Sequence, residues 1–267
     1  MKRQIIRHLE RMTPGLITRA RASREYFCGE PEIRLLRLFV PPDKTAIDIG
    51  ANNGVYTVWL RRYARNVIAV EPNPSCCTLL RRAFDDRVSV VNAACSDHHG
   101  SAQLRIPTPG GTANLYRGSI DAGVSFDTNT IGITVETVPL DVLAKGPVGF
   151  IKIDVEGHEL AVLAGAGNVL KRDRPTVLVE AEERHKRGTV ASVMAHFAEL
   201  RYAGYFLFGK QILPFDDFNP KLHQRGTEAG PGARSNSYVN NFIFIPRENH
   251  VSRDNLLLRK NSQKPIP

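Results

Sequence analysis

With 267 residues, 42% of them hydrophobic and 24% charged, the chain can bury one sizeable core, and its composition excludes a disordered, fibrous or disulfide-stapled protein. No run approaches the ~20 apolar residues of a membrane span and no signal-peptide core is visible, so a cytoplasmic location is expected. The net charge of +9 is uneven: residues 1–37 hold nine Lys/Arg against four Asp/Glu and residues 247–267 five against two, leaving the body near neutral. A body of that kind is not built to grip nucleic-acid phosphates, and no nucleic-acid partner is expected.

The first segment, 1–43, reads as a basic helical extension. Ile5, Leu9 and Met12 recur at helical spacing among Arg3, Arg7, His8 and Arg11. That pattern suits a solvated helix docked on the body, and equally a peripheral contact with an anionic membrane or an acidic partner. Cys28, Cys76, Cys77 and Cys95 form no C-x-x-C pair and read as reduced structural thiols.

A strand is predicted near 45–49, running into Asp48-Ile-Gly-Ala-Asn-Asn-Gly54. Gly50 and Gly54 permit a tight turn and close backbone approach to a ligand, and Val55, Val58, Trp59 and Arg62 then recur at helical spacing. Asn52 stands where a dinucleotide fingerprint needs its middle glycine, and no Lys-Ser or Lys-Thr follows as a P-loop requires. Asp48 before the first glycine repels phosphate but attracts an amine or sulfonium, the two cations of S-adenosylmethionine. The next strand, 67–71, ends in Glu71, a carboxylate able to accept both ribose hydroxyls. A third, 88–92, leads to Ser96 and Asp97, placed to take an adenine amino group.

Two short strands, 101–106 and 131–138, flank a Gly-, Ser- and Thr-rich stretch, so 101–138 reads as a hairpin or lid inserted into the domain. The fourth strand, 149–154, contains Lys152 and runs into Asp154-Val-Glu-Gly-His158. Asp154, Glu156 and His158 are spaced two apart, so an extended continuation of the strand puts them on one side. Asp154 is the first candidate for a general base, with Glu156 and His158 behind it, and Glu159 as an acid in the cap region of the next helix. A lysine inside a central strand needs a carboxylate, and Glu180 at the end of the fifth strand, 176–180, is its expected partner. That pair is either structural or tunes Asp154, and Glu182 is a weaker candidate for the same pocket. If a metal is used, Asp154, Glu156 and Glu180 offer an oxygen set suited to Mg2+, which the sequence permits without requiring. Two late strands, 204–208 and 241–245, bracket a loop, 216–238, with the composition of a mobile segment and with Arg225 and Arg234 as anion contacts. Residues 247–267 form a basic tail.

These motifs, with Val70-Glu-Pro-Asn73, Ala93-Ala-Cys-Ser-Asp97, Val138-Pro-Leu-Asp-Val-Leu143, Ile151-Lys-Ile-Asp-Val-Glu-Gly-His-Glu159 and Asn240-Asn-Phe-Ile-Phe-Ile-Pro246, resemble the FkbM family of S-adenosylmethionine-dependent methyltransferases. The resemblance runs from about 44 to 246. It implies an α/β, Rossmann-like class I methyltransferase fold: a doubly wound, mostly parallel, seven-stranded sheet with an antiparallel last strand. It implies an O-methyltransferase acting on a hydroxyl of a sugar, glycolipid or secondary metabolite, with S-adenosyl-L-methionine held by Asp48, Gly50, Asn52, Gly54, Glu71, Ser96 and Asp97. Catalysis falls to Asp154, Glu156, His158, Lys152 and Glu180. A non-catalytic cofactor-binding scaffold and a nucleic-acid methyltransferase are the alternatives, the latter weakened by Asp154-Val-Glu-Gly where an N-P-P-Y or D-P-P-Y motif would stand.

Overall fold

The computed structural model describes residues 12–114, 117–209, 211–224 and 238–250. Its centre is an eight-stranded sheet in the order β10-β9-β11-β8-β7-β1-β2-β3. The five strands β3 (Val88–Val91), β2 (Asn66–Val70), β1 (Thr45–Ile49), β7 (Val148–Ile153) and β8 (Thr176–Glu180) are parallel. Strand β11 (Asn241–Pro246) inserts antiparallel between β8 and β9 (Tyr202–Phe208), and β10 (Gln211–Pro214) adds an antiparallel edge. The expected seven strands are therefore present with one more. Gln211–Pro214 escapes a periodicity reading because only Ile212 of its four residues is buried.

Side-chain alternation along the strands splits the core into two layers. Ile47, Ile49, Ile151, Ile153, Val177 and Val179 face one layer, covered by α6 (Glu159–Ala164), α7 (Gly167–Asp173) and α8 (Thr189–Glu199). Ala46, Val67, Ala69, Phe150, Leu178 and Ile243 face the other, covered by α2 (Leu36–Phe39), α3 (Val55–Tyr63) and α4 (Pro74–Ala83). The N-terminal helix α1 (Pro14–Cys28) lies on α3 and α4, where Trp59 Nε1 donates to the Ala22 carbonyl at 3.1 Å and the Tyr26 ring stacks on Trp59. Ile5 and Leu9 lie outside the described residues. The remaining short helices are α5 (Leu140–Leu143) and α9 (Pro220–His223). Among the described residues no helix is long and apolar enough to cross a membrane, and all four cysteines are free thiols.

The insert forms a separate three-stranded sheet, β4-β6-β5, from Ala94–Cys95, Thr130–Val138 and Gly100–Pro107. Strands β5 and β6 pair antiparallel along their full length, and the 117–124 segment beyond β5 folds back toward the carboxyl ends of the main sheet. Of the loop expected to be mobile, residues 216–224 carry α9, while 225–237, with Arg225 and Arg234, lie outside the described residues, as does the tail from 251.

Gly50 sets how closely the β1 and β7 loops approach. It has φ +78°, and a Cβ there would sit 1.8 Å from the Asp154 carbonyl oxygen. Gly110 has φ +62° with open space around it. Gly50→Ala is expected to cost about 3 kcal/mol or more and Gly110→Ala about 1 kcal/mol, since only the first adds a backbone clash to left-handed strain. Urea unfolding of the two variants checks this; equal costs would disprove the close-approach role.

Candidate functional site

The carboxyl ends of β1, β2 and β7 meet the folded-back insert around a cleft enclosing about 730 Å³, its open mouth included. A crevice at this end of an open α/β sheet is the usual ligand position. Gly50 and Asn52 after β1, Glu71 and Asn73 after β2, and Asp154, Glu156 and His158 after β7 all line it.

Glu71 is held ready to accept hydrogen bonds. Its Oε2 accepts the Asn52 backbone N–H and its Oε1 the Asn73 backbone N–H, both at 2.8 Å. Each oxygen keeps a second acceptor position. Burial lifts the carboxyl to about 7 in spite of those two bonds. Asn52, at φ +51°, holds the turn that aims its N–H at Glu71.

Three residues expected at the cofactor are placed otherwise. Asp48 turns into the body, where its Oδ2 accepts the Thr57 hydroxyl at 2.5 Å, tying β1 to α3. Gly54 is the left-handed residue that starts α3, and the space its missing Cβ leaves is filled by Leu80 and Phe84 of α4. Asp97 is exposed and engaged by His98 Nδ1 at 2.6 Å, away from the cleft lining. The strand pattern places these residues near the site but does not set where their side chains turn. Ser96 is buried, and its hydroxyl pairs with His158 Nε2 at 3.0 Å.

The expected Lys152–Glu180 pair is present, with Nζ 3.8 Å from Oε2, and Lys152 is fully buried. Nζ also donates to Asn241 Oδ1 at 3.1 Å and lies 5.0 Å from the centre of the Tyr56 ring. Burial opposes its charge, but Asp154, Glu180, Glu30 and Asp48 together hold its proton above the ordinary lysine range. Burial raises both carboxyls, Asp154 to about 6, and the Lys152 ammonium pulls both back down. Asp154 lines the cleft.

The turn after β7 does not continue as a strand. Glu156 has φ +50° and Gly157 φ +102°, and a Cβ on Gly157 would meet Val124 at 2.6 Å. Glu156, His158 and Asp154 still share the cleft wall, but the Glu156 carboxylate pairs with His185 Nε2 at 2.9 Å. Burial opposes that charge, and His185, Arg117 and Arg184 together outweigh it to leave Glu156 below its ordinary range. His158 sits between the Ser96 hydroxyl and Asp121, whose Oδ2 is 3.9 Å from Nδ1, and burial holds it below the usual histidine range, hence neutral at pH 7. Glu159 opens α6 and reaches back to accept the Gly157 N–H at 2.7 Å, which holds the turn before the helix. Glu182 is buried and tied to Arg184 and the Tyr238 hydroxyl.

The oxygen set proposed for Mg2+ does not converge: Glu156 is committed to His185, and Glu180 lies beside the Lys152 ammonium. Among the described residues no group of three or more His, Cys, Asp and Glu is arranged to hold a metal. The sequence reading missed Glu30, Tyr56, Asn241 and His185, which complete the buried network, and Arg117 and Ser119, which bring the insert to the cleft. Ser119 donates to the Glu156 carbonyl at 2.7 Å. Only Asn241 had a visible signal, a polar residue opening an otherwise apolar strand.

The family model described as the methyltransferase FkbM domain matches residues 48–207. The hexuronic acid methyltransferase AglP of Haloferax volcanii is 31% identical over 149 residues, covering 54% of this chain and 59% of that protein. The crystal structure of methyltransferase FkbM from Methylobacillus flagellatus KT superposes with a TM-score of 0.50 at 16% identity, over 90% of this chain and 57% of that one. The match thus spans under two thirds of either relative.

The buried acids give the fold an unusual pH response. Burial raises Glu32 to about 8, Glu71 to about 7 and Glu159 to about 7, from an ordinary 4.5. The folded chain therefore binds more protons than the unfolded one up to pH 8, and stability is lost as pH rises through the folded values. The melting temperature is expected to rise as pH falls from 8.5 to 6.5, and Glu32→Gln to flatten the part above pH 7.5. A scanning-calorimetry profile that is level or falls over that interval would contradict this.

Proposed function

From its membership of the FkbM methyltransferase family, to which the chain belongs, we propose that it is an S-adenosylmethionine-dependent O-methyltransferase acting on a sugar hydroxyl, with an acidic sugar as acceptor. The observation that carries the reading is the cleft that Glu71, presented by two backbone N–H groups, and the Asp154 carboxylate line together. Glu71 suits the ribose hydroxyls of the cofactor, and the missing Cβ at Gly50 lets the β1 loop close against the Asp154 backbone. The bound cofactor supplies a methyl group on a sulfonium.

Asp154 takes the proton of the acceptor hydroxyl as the oxygen gains the methyl group. A carboxyl raised to about 6 by burial accepts a proton more readily than an ordinary Asp yet is still ionised at pH 7. His158, neutral and oriented by Ser96, is the second base within the same wall. Arg117, on the insert, puts an exposed guanidinium at the cleft. A cation there suits a carboxylate-bearing acceptor, and the relative AglP is named for hexuronic acid.

Methyl transfer to uronic-acid glycans, compared with neutral ones and with no acceptor, tests the substrate class; turnover of neutral glycans alone would reject it. Asp154→Asn is expected to leave cofactor affinity within a few-fold while lowering turnover by about 100-fold or more. Turnover near that of the unaltered enzyme would remove Asp154 as the base and leave His158.

A specific observation also favours a peripheral membrane contact. Helix α1 buries its small residues, Thr18 and Ala22, and leaves Leu16 67% and Phe27 76% exposed, with Met12 beyond them at 67%. Arg19 and Arg24 lie on the same exposed side, and no exposed residue from 12 to 28 is acidic. Large apolar groups flanked by arginines match an anionic lipid surface. The protein is expected to float with anionic vesicles and the Leu16→Glu, Phe27→Glu double variant to remain behind; equal flotation of the two at low and physiological salt would reject the contact.

A further inference from the structure

We propose that Glu30, in the segment joining α1 to the body, is a positioning residue of the methyl-transfer site, acting on Lys152 and Asp154 through Tyr56 and Asn241. The inference rests on the reading of Asp154 as the proton acceptor. Glu30 Oε2 accepts the Tyr56 hydroxyl at 2.5 Å and Asn241 Nδ2 at 3.1 Å. Asn241 Oδ1 in turn accepts from Lys152 Nζ at 3.1 Å, and Nζ lies 3.8 Å from Glu180. A polar chain therefore runs from the N-terminal segment into the sheet as far as Lys152 and Glu180, two groups that act on Asp154 at the cleft. Both Glu30 and Asn241 stand outside the family-matched residues 48–207.

The charge on Glu30 is what a structural anchor does not need. A glutamine oxygen would accept the same two hydrogen bonds without repelling the acids already present. Instead the carboxylate is set among Glu32, Asp48, Asp154 and Glu180, with one buried cation, Lys152, between them. Like charges brought together out of water raise one another's proton affinity. The result is a lysine that stays protonated and an Asp154 carboxylate with a stronger pull on the acceptor's proton. The groups acting on Asp154 are Lys152 and Glu156 on its own segment, Glu180 from β8 and Glu30 from the N-terminal segment. Asp48, Glu71 and Glu159, from the β1 end, the β2 end and the start of α6, are coupled to it more weakly.

Carbon-detected NMR of the full chain labelled at its Asp carboxyls reads this without an acceptor, the Asp154 signal being assigned by its loss in Asp154→Asn. Glu30→Gln is expected to lower the Asp154 midpoint by ~0.5 pH unit or more, about threefold in proton affinity, and Glu30→Asp to hold it nearer the original value. An unmoved midpoint in a Gln variant that still melts cooperatively would overturn the proposal, because a packing role leaves that midpoint in place. Should the Gln variant fail to fold, Tyr56→Phe decides: losing the hydroxyl that Glu30 holds is expected to move the Asp154 midpoint, and an unmoved midpoint there would overturn the proposal. A moved midpoint with full turnover in Asp154→Asn would sink the base assignment alone. Lost turnover with an unmoved midpoint in the Gln variant would sink the Glu30 inference alone.

Discussion

The Lys152 ammonium is the constraint around which the site is arranged. A lone charge inside a central strand costs several kcal/mol to desolvate, and pairing it with one carboxylate seldom recovers the whole amount. The fold meets the need from four directions: Asp154 at the end of its own strand, Glu180 from the next, Asn241 from the antiparallel strand beyond, and the Tyr56 face from the helix above. Removing Asp154 or Glu180 takes a counter-charge from the ammonium, and removing Asn241 takes a hydrogen-bond acceptor from it. The acids in turn are tolerated only because the ammonium is there, so cation and carboxylates are conditions of one another's burial.

The proposed catalytic role asks nothing unusual of the residues that would carry it. Asp154 needs only burial, a cation beside it and a neighbouring acid in Glu180. Glu71 stands in a different setting, where backbone N–H groups rather than a lysine stabilise its charge. Two carboxylates in one cleft thus differ in what holds them, and their roles separate accordingly.

The parallel core was legible because strands buried on both faces read as apolar runs, and Ile47, Ile151 and Val177 lie where those runs predicted. The Lys152–Glu180 pair was legible too, since the cost of an unpaired charge restricts the choice of partner. Side-chain direction at strand ends was not. Asp48 and Asp97 sit at the expected positions, yet Thr57 and His98 claim them, and a hydroxyl on the next helix leaves no trace in the spacing of strands. Glu30 was invisible for a plainer reason: its partners Tyr56 and Asn241 are 26 and 211 residues away, and only the folded chain brings them together.

The position of β11 has a practical corollary. The last strand in sequence is an interior strand in space, bonded on one side to β8 and on the other to β9. A fragment cut at the limits of the family match would keep β9 but lose the strand that attaches it, along with Asn241 and the segment bearing Glu30. The recognisable motif block is therefore smaller than the folding unit. Swapping that block between relatives would exchange the Gly50 loop while leaving behind two of the groups that hold the buried charge.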